Sequence, residues 1–85
     1  MSKIENVFDS VIRGRSDTNI RFGDLIKLLE SLGFVERIRG SHHIFTHPDV
    51  EEIINIQPKG SMGKPYQVKQ IRNIILKYKL GVDDE

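Results

Sequence analysis

Apolar residues open the chain at helical spacing. Ile4, Val7, Phe8, Val11 and Ile12 recur at i, i+3, i+4, i+7 and i+8, which lays one apolar stripe along a helix over residues 3 to 13. The helix ends near Arg13–Gly14, because glycine readily takes the left-handed conformation that closes a helix. Arg15-Ser16-Asp17-Thr18-Asn19 is polar and turn-rich and reads as a linker. A second helix buries Phe22, Leu25, Ile26, Leu29 and Leu32, carries Asp24 in its first turn and stops at Gly33.

From Phe34 the period changes to two. Phe34 to Ile38 reads as a short strand, Arg39-Gly40-Ser41 as a turn, His42 to His47 as a second strand closed by Pro48-Asp49, and Glu52 to Gln57 as a third. Connections this short predict an antiparallel meander. Pro58 to Gly63 reads as a flexible loop. Pro65 suits the first turn of a last helix, where its missing N–H costs nothing. Val68, Ile71, Ile74, Ile75 and Tyr78 form its stripe, Lys77 and Lys79 lie in the final turn, and Gly81 ends it.

The predicted order is α-α-β-β-β-α, with no internal repeat. Residues 20 to 81 give an α+β layer, α-β-β-β-α, with two helices on one face of a three-stranded antiparallel sheet. The other sheet face is then bare. The first helix is an addition, and its stripe must be buried against that face, against the other helices or against a second chain. A dimer through the N-terminal helix is one outcome of that requirement.

At 85 residues the chain is expected to be a single small domain, 1–85. A chain of this size buries about 60–65% of its unfolded surface, so every apolar stripe should be used. It has no cysteine, which removes disulfides and thiolate metal sites. No run approaches a signal peptide or a membrane span, so a soluble, cytoplasmic protein without membrane contact is expected.

Net charge is +1, but its distribution is uneven. Between Ile53 and Val82 stand Lys59, Lys64, Lys69, Arg72, Lys77 and Lys79, with no acid among them. A basic half of this kind suits a polyanion, although a solvated lysine-rich helix face explains it as well.

The chemistry concentrates in "GSHHIF", residues 40 to 45. Strand alternation sets His43, Phe45 and His47 on one face and His42, Ile44 and Thr46 on the other. Phe45 points at the helices, so His43 joins the packed side, partly buried and hydrogen-bonded to backbone. His42 is presented on the open face, just past a Gly-Ser turn. A metal site is not supported, since adjacent strand histidines point opposite ways and no carboxylate has matching spacing. A serine nucleophile is not supported either, since Ser41 lacks the strand–Ser–helix elbow. Acid–base work on a polyanion remains. Histidine has its ordinary pKa near neutrality and can take a proton from an RNA 2′-OH or give one to a leaving oxygen.

Gly33-Phe34, Arg39-Gly40-Ser41-His42-His43-Ile44-Phe45, Pro65 and the basic last helix resemble the HicA toxins of bacterial type II toxin–antitoxin systems, over about residues 21 to 80. The resemblance implies a fold like a double-stranded-RNA-binding domain, and metal-independent, cofactor-free endoribonuclease cleavage of mRNA. It also implies a HicB-type antitoxin that covers the site. The family's catalytic histidine falls on His42. Many members carry another histidine after the third strand, in a proline–histidine pair. Here that stretch reads Ile56-Gln57-Pro58-Lys59, so Gln57 or Lys59 would have to substitute. The N-terminal helix is a second departure from the shortest members.

On this reading His42 is the acid or base, and Ser41 beside Gly40 orients the phosphate or the imidazole. Arg37, Arg39, Lys59 and Lys64 grip RNA near the strands, and Lys69 and Arg72 contact its backbone from the last helix. Two other classes stay open. A non-catalytic nucleic-acid-binding module explains the basic half but not the Gly-Ser-His-His run. A protein-interaction domain would use Ile44 and the N-terminal stripe.

Overall fold

Side chains from two helices meet one face of a three-stranded sheet, and a third helix packs against those two. The computed structural model describes residues 3–81. Helix α1 spans Lys3–Arg13, α2 Phe22–Ser31 and α3 Pro65–Tyr78. Strands β1 (Val35–Arg39), β2 (His42–His47) and β3 (Val50–Ile56) form an antiparallel meander in that order. The α-β-β-β-α layer and its α+β class are those the apolar pattern predicts. Among the described residues, no helix is long and apolar enough to cross a membrane.

The core joins Phe45, Ile54 and Ile56 of the sheet to Leu25, Leu28 and Leu29 of α2 and Val68, Ile71 and Ile75 of α3. Leu28 is buried although the predicted stripe of α2 omits it. Helix α1 packs against both α2 and α3, so α2 has packed neighbours beyond the sheet. Val7 and Val11 are buried there, with Phe8 and Ile12 packed against the core. The stripe of α1 is therefore used within the chain, against the helices.

Residues 15 to 19 are more ordered than a linker. Asp17–Asn19 form a 3₁₀ turn. Arg72 of α3 donates to both carboxylate oxygens of Asp17, at 3.0 and 3.2 Å, and to the Val11 carbonyl at 3.2 Å. Asp17 and Arg72 are both largely buried, 22% and 17% exposed, so the pair fastens the end of α1 and the 3₁₀ turn to α3.

The stretch expected to be a flexible loop is a second, small hairpin. Strands β4 (Pro58–Lys59) and β5 (Met62–Gly63) pair antiparallel around Gly60-Ser61, with Gly60 at φ +62°. The hairpin is tied to the chain entering α2: Gly63 N–H donates to Ile20 C=O at 2.8 Å, and Phe22 N–H donates to Ser61 C=O at 3.0 Å. Gly63 is buried, and a Cβ there would fall on the Leu25 side chain. Other boundaries shift by a few residues. The first strand starts at Val35 and keeps Arg39, and the third starts at Val50. Helix α3 closes on Lys79, at φ 55°, with Leu80 N–H returning to Ile75 C=O, ahead of the expected stop at Gly81.

Beyond the core, α3 is latched to β3. Tyr78 donates its phenol to Glu52 Oε1 at 2.7 Å, and Lys77 Nζ donates to Oε2 at 2.9 Å. These bonds, the phenol first, lower the Glu52 carboxyl from 4.5 to about 2, and the carboxylate in turn raises the Lys77 ammonium.

Two outcomes are expected. Gly63→Ala should cost about 1–3 kcal/mol through crowding at Leu25, read from urea denaturation. A wild-type midpoint would mean that Leu25 repacks freely. Glu52 has its folded pKa depressed, so the stability it adds is present above pH 4.5 and fades as pH falls toward 2. Thermal midpoints of the parent and Glu52→Gln should therefore differ at neutral pH and converge across that window. A gap that stays constant over the window would show that the charge is not what stabilises.

Candidate active site

The β1–β2 hairpin closes on a two-residue loop. Arg39 pairs with His42, and Gly40-Ser41 make the turn. Gly40 sits at φ +60° while Ser41 does not have positive φ, the pattern of a turn that wants glycine first. This places the hydroxyl of Ser41 immediately before the first residue of β2.

Pairing then fixes the faces. Phe45 lies opposite Glu36 and Ile54, and His43 opposite Ile38 and Ile56, so these residues share the inner face. Phe45, Ile54 and Ile56 are fully buried. His42, between Arg39 on β1 and the end of β3, is exposed on the outer face with Arg37, Arg39 and Asn55. The outward acid of β3, Glu51, stands at the opposite end of that strand.

His42 is held at both ring nitrogens. Its Nδ1–H donates to Asn55 Oδ1 at 3.0 Å. Gln57 Nε2–H donates to His42 Nε2 at 3.2 Å and to Ser41 Oγ at 2.9 Å. Because the Asn55 oxygen only accepts, it selects the tautomer with the proton on Nδ1 and leaves the lone pair on Nε2. Where the Gln57 amide gives way, the Nε2 lone pair of this exposed imidazole can accept a proton from a bound hydroxyl.

Gln57 has its own support. Gln67, in the first turn of α3, is 2% exposed. In the amide orientation that satisfies both groups, its Oε1 accepts from Gln57 N–H at 3.0 Å and its Nε2–H donates to Gln57 C=O at 3.0 Å. A buried amide thus pairs with the main chain of Gln57 and sets where its side chain begins.

The other histidines are structural. His43 Nδ1 is 2.6 Å from Glu36 Oε2, and its ring meets Phe22 edge-on at 4.9 Å. Its partner is thus a side-chain carboxylate, not the backbone group expected from the sequence. His47 spans Leu32 C=O, at 3.1 Å from Nε2, and Asp49 N–H, at 3.0 Å from Nδ1, with its ring against Phe34.

The expected basic set divides. Arg37 and Arg39 flank His42 from β1. Lys59 and Lys64 line one groove beyond Gln57. Lys69 is exposed on α3. Arg72, expected to contact RNA, is instead engaged with Asp17 and Val11. The residue pattern does not single out Asn55 or Gln67. A polar residue at an alternate outward position of β3 could have marked Asn55, but nothing local marks Gln67. Of the two residues considered for the missing second histidine, Gln57 is the one that reaches His42. Among the described residues, no three His, Cys, Asp or Glu side chains gather as metal ligands would.

Gln67→Leu should lower stability by about 1–3 kcal/mol, because it leaves two backbone groups of Gln57 unpaired. The same substitution should shift the imidazole NMR resonances of His42 and leave those of His47 in place. An unmoved His42 would show that Gln57 is held by something other than Gln67.

Comparison with known proteins follows the same residues. Neither curated proteins nor solved structures gave a match. A family model described as HicA toxin of bacterial toxin-antitoxin matches residues 22–78, from the start of α2 to the end of α3. That span holds the whole sheet, the Gly-Ser turn and the buried core of α2 and α3, and the chain belongs to the HicA family of toxins from bacterial toxin–antitoxin systems.

Proposed function

We propose that the protein is a metal-independent endoribonuclease that cleaves mRNA, with His42 as its acid–base group. The observation that carries this reading is the pair of contacts at the exposed His42 ring: Asn55 Oδ1, an acceptor, stands 3.0 Å from Nδ1 and favours a proton there, which leaves the Nε2 lone pair to the Gln57 amide at 3.2 Å. Membership of a toxin family implies an antitoxin partner. We take that partner to be a HicB-type protein that covers the outer face, where Val35 is exposed on the same strand as Arg37 and Arg39 and Ile53 is exposed on β3.

RNA supplies its own nucleophile. In the proposed step a 2′-OH displaces the Gln57 amide at Nε2 and gives its proton to His42. The 2′-oxygen bonds to phosphorus, and the bond from phosphorus to the 5′-oxygen breaks. The leaving oxygen takes a proton from water or from the imidazolium, and the products end in a 2′,3′-cyclic phosphate and a 5′-OH. Arg37 and Arg39 are the cations nearest in register for the charge that builds on the phosphate. Lys59, Lys64 and Lys69 supply the salt-sensitive grip on the rest of the chain. Ser41, already bonded to Gln57, orients the phosphate or the amide.

The test is direct. His42→Ala should lower the cleavage rate by about 10²–10⁴-fold while RNA binding persists. An oligoribonucleotide with a single 2′-deoxy sugar at the cleaved position should resist the wild-type protein. Undiminished cleavage by His42→Ala, or cleavage at the deoxy position, would remove His42 or the 2′-OH from the mechanism. RNA binding with no cleavage by the wild type would favour the non-catalytic binding module.

A further inference from the structure

Beyond Gln57 the surface opens into a groove of about 560 Å³ lined by Pro58, Lys59, Lys64, Pro65 and Tyr66. Tyr66 is 65% exposed, and it is the aromatic among the large side chains left exposed by the fold. Its ring contributes nothing to the core. Lys64 Nζ stands 6.0 Å from the ring centroid. Among the described residues, no carboxylate pairs with Lys59 or Lys64. The first turn of α3 carries no acid to offset them. A second depression of about 300 Å³ shares Lys59 and Pro65 and continues toward Met62.

The walls are preformed. Pro58 and Lys59 belong to the β4–β5 hairpin, whose far strand bonds to Ile20. Lys64, Pro65 and Tyr66 begin α3, whose next residue, Gln67, grips the main chain of Gln57. One side of the groove is therefore covalently continuous with the residue that touches His42, and the other side is pinned to it.

Its chemistry is specific in kind. It offers a flat aromatic face, two rigid proline rings and two ammonium groups. A ligand for it should be planar, apolar on its faces and flanked by negative charge. A nucleotide in a single strand meets all of these, because an unstacked base can lie on an aromatic ring while lysines hold the phosphate beside it. A paired base is already stacked and cannot use the ring.

We propose that this groove is a nucleotide subsite: it stacks one unpaired base of the RNA on Tyr66 and holds the adjoining phosphate between Lys59 and Lys64. The proposal rests on the reading of the protein as an RNA-cleaving enzyme, and adds that the RNA must be single-stranded beside the cleaved bond. The substrate then runs from the imidazole of His42 past Gln57 onto Tyr66.

The experiment measures binding of a labelled single-stranded oligoribonucleotide by anisotropy, with every variant built on His42→Ala and every 2′-OH of the oligonucleotide methylated so that nothing is cut. Tyr66→Ala should weaken binding on the order of tenfold, and Tyr66→Phe should restore it, since the ring and not the hydroxyl is used. Tyr66→Trp should bind well and lose fluorescence as a base stacks on the indole. Lys59→Ala and Lys64→Ala should each flatten the salt dependence by about one phosphate contact. A chain of the same length without bases is the control, and on it Tyr66→Ala should change nothing. Equal binding by Tyr66→Ala, or an equal loss on the baseless chain, would overturn the subsite. A loss confined to antitoxin binding would also overturn it and assign the groove to protein docking. Because binding is read without cleavage, a wild type that fails to cut RNA would sink the enzymatic reading and leave this result standing.

Discussion

Phe45 is fully buried against Ile54 and the helices, and a strand has only two faces. Once that ring is inside, His43 must share its side and His42 must stand on the other. A slip of one residue in the pairing would bury His42 and expose Phe45, at a cost of well over 1 kcal/mol for the ring alone. The orientation of the candidate catalytic group is thus enforced by hydrophobic burial three residues away. The Gly40-Ser41 turn adds to this constraint, because a two-residue loop allows β1 and β2 little freedom of register.

Parity orients His42 but does not hold it still. An exposed imidazole turns about its two side-chain torsions unless something fixes it. Asn55 does so from the next strand, since it faces outward at the position paired with Ile44. Gln57 does so from beyond the end of β3, where regular pairing has stopped. The main chain of Gln57 is caught by Gln67, a side chain nearly as buried as the leucines around it. A polar group in that position would be costly if it were unpaired, and two hydrogen bonds to one residue's backbone remove the cost. The link runs from the core of α3 to the surface of the sheet in two residues.

Much of this was legible from residue pattern alone. Helical and strand periods place the three helices and the meander, and parity alone separates His42 from His43. The small hairpin does not stand out in that pattern, although Gly60-Ser61 repeats the Gly40-Ser41 signal of the larger one. Strands of two residues carry no period, so only the turn could have revealed them. The boundary errors share a cause: Val50 and Arg39 are placed by their partners across the sheet, not by their neighbours in the chain. Gln67 was invisible for a stronger reason. Its glutamine fits a helix surface as well as a core, and only the approach of Gln57, ten positions earlier, gives it a task.

Charge illustrates the same limit from the other side. The acid-free run from Ile53 to Val82 treats its cations as alike, yet packing gives them different work. Arg72 points back into the helices and holds the 3₁₀ turn, and Lys77 holds Glu52 across to β3. Lys59, Lys64 and Lys69 are left for solvent or a polyanion. Such a division is expected wherever one face of a helix must be packed and the other presented. In α3 the stripe of Val68, Ile71 and Ile75 decides which cations turn inward to a neighbouring element and which stay free. A basic sequence therefore bounds how many cations a domain this small can offer to a polyanion, and the fold sets the smaller number that stays available.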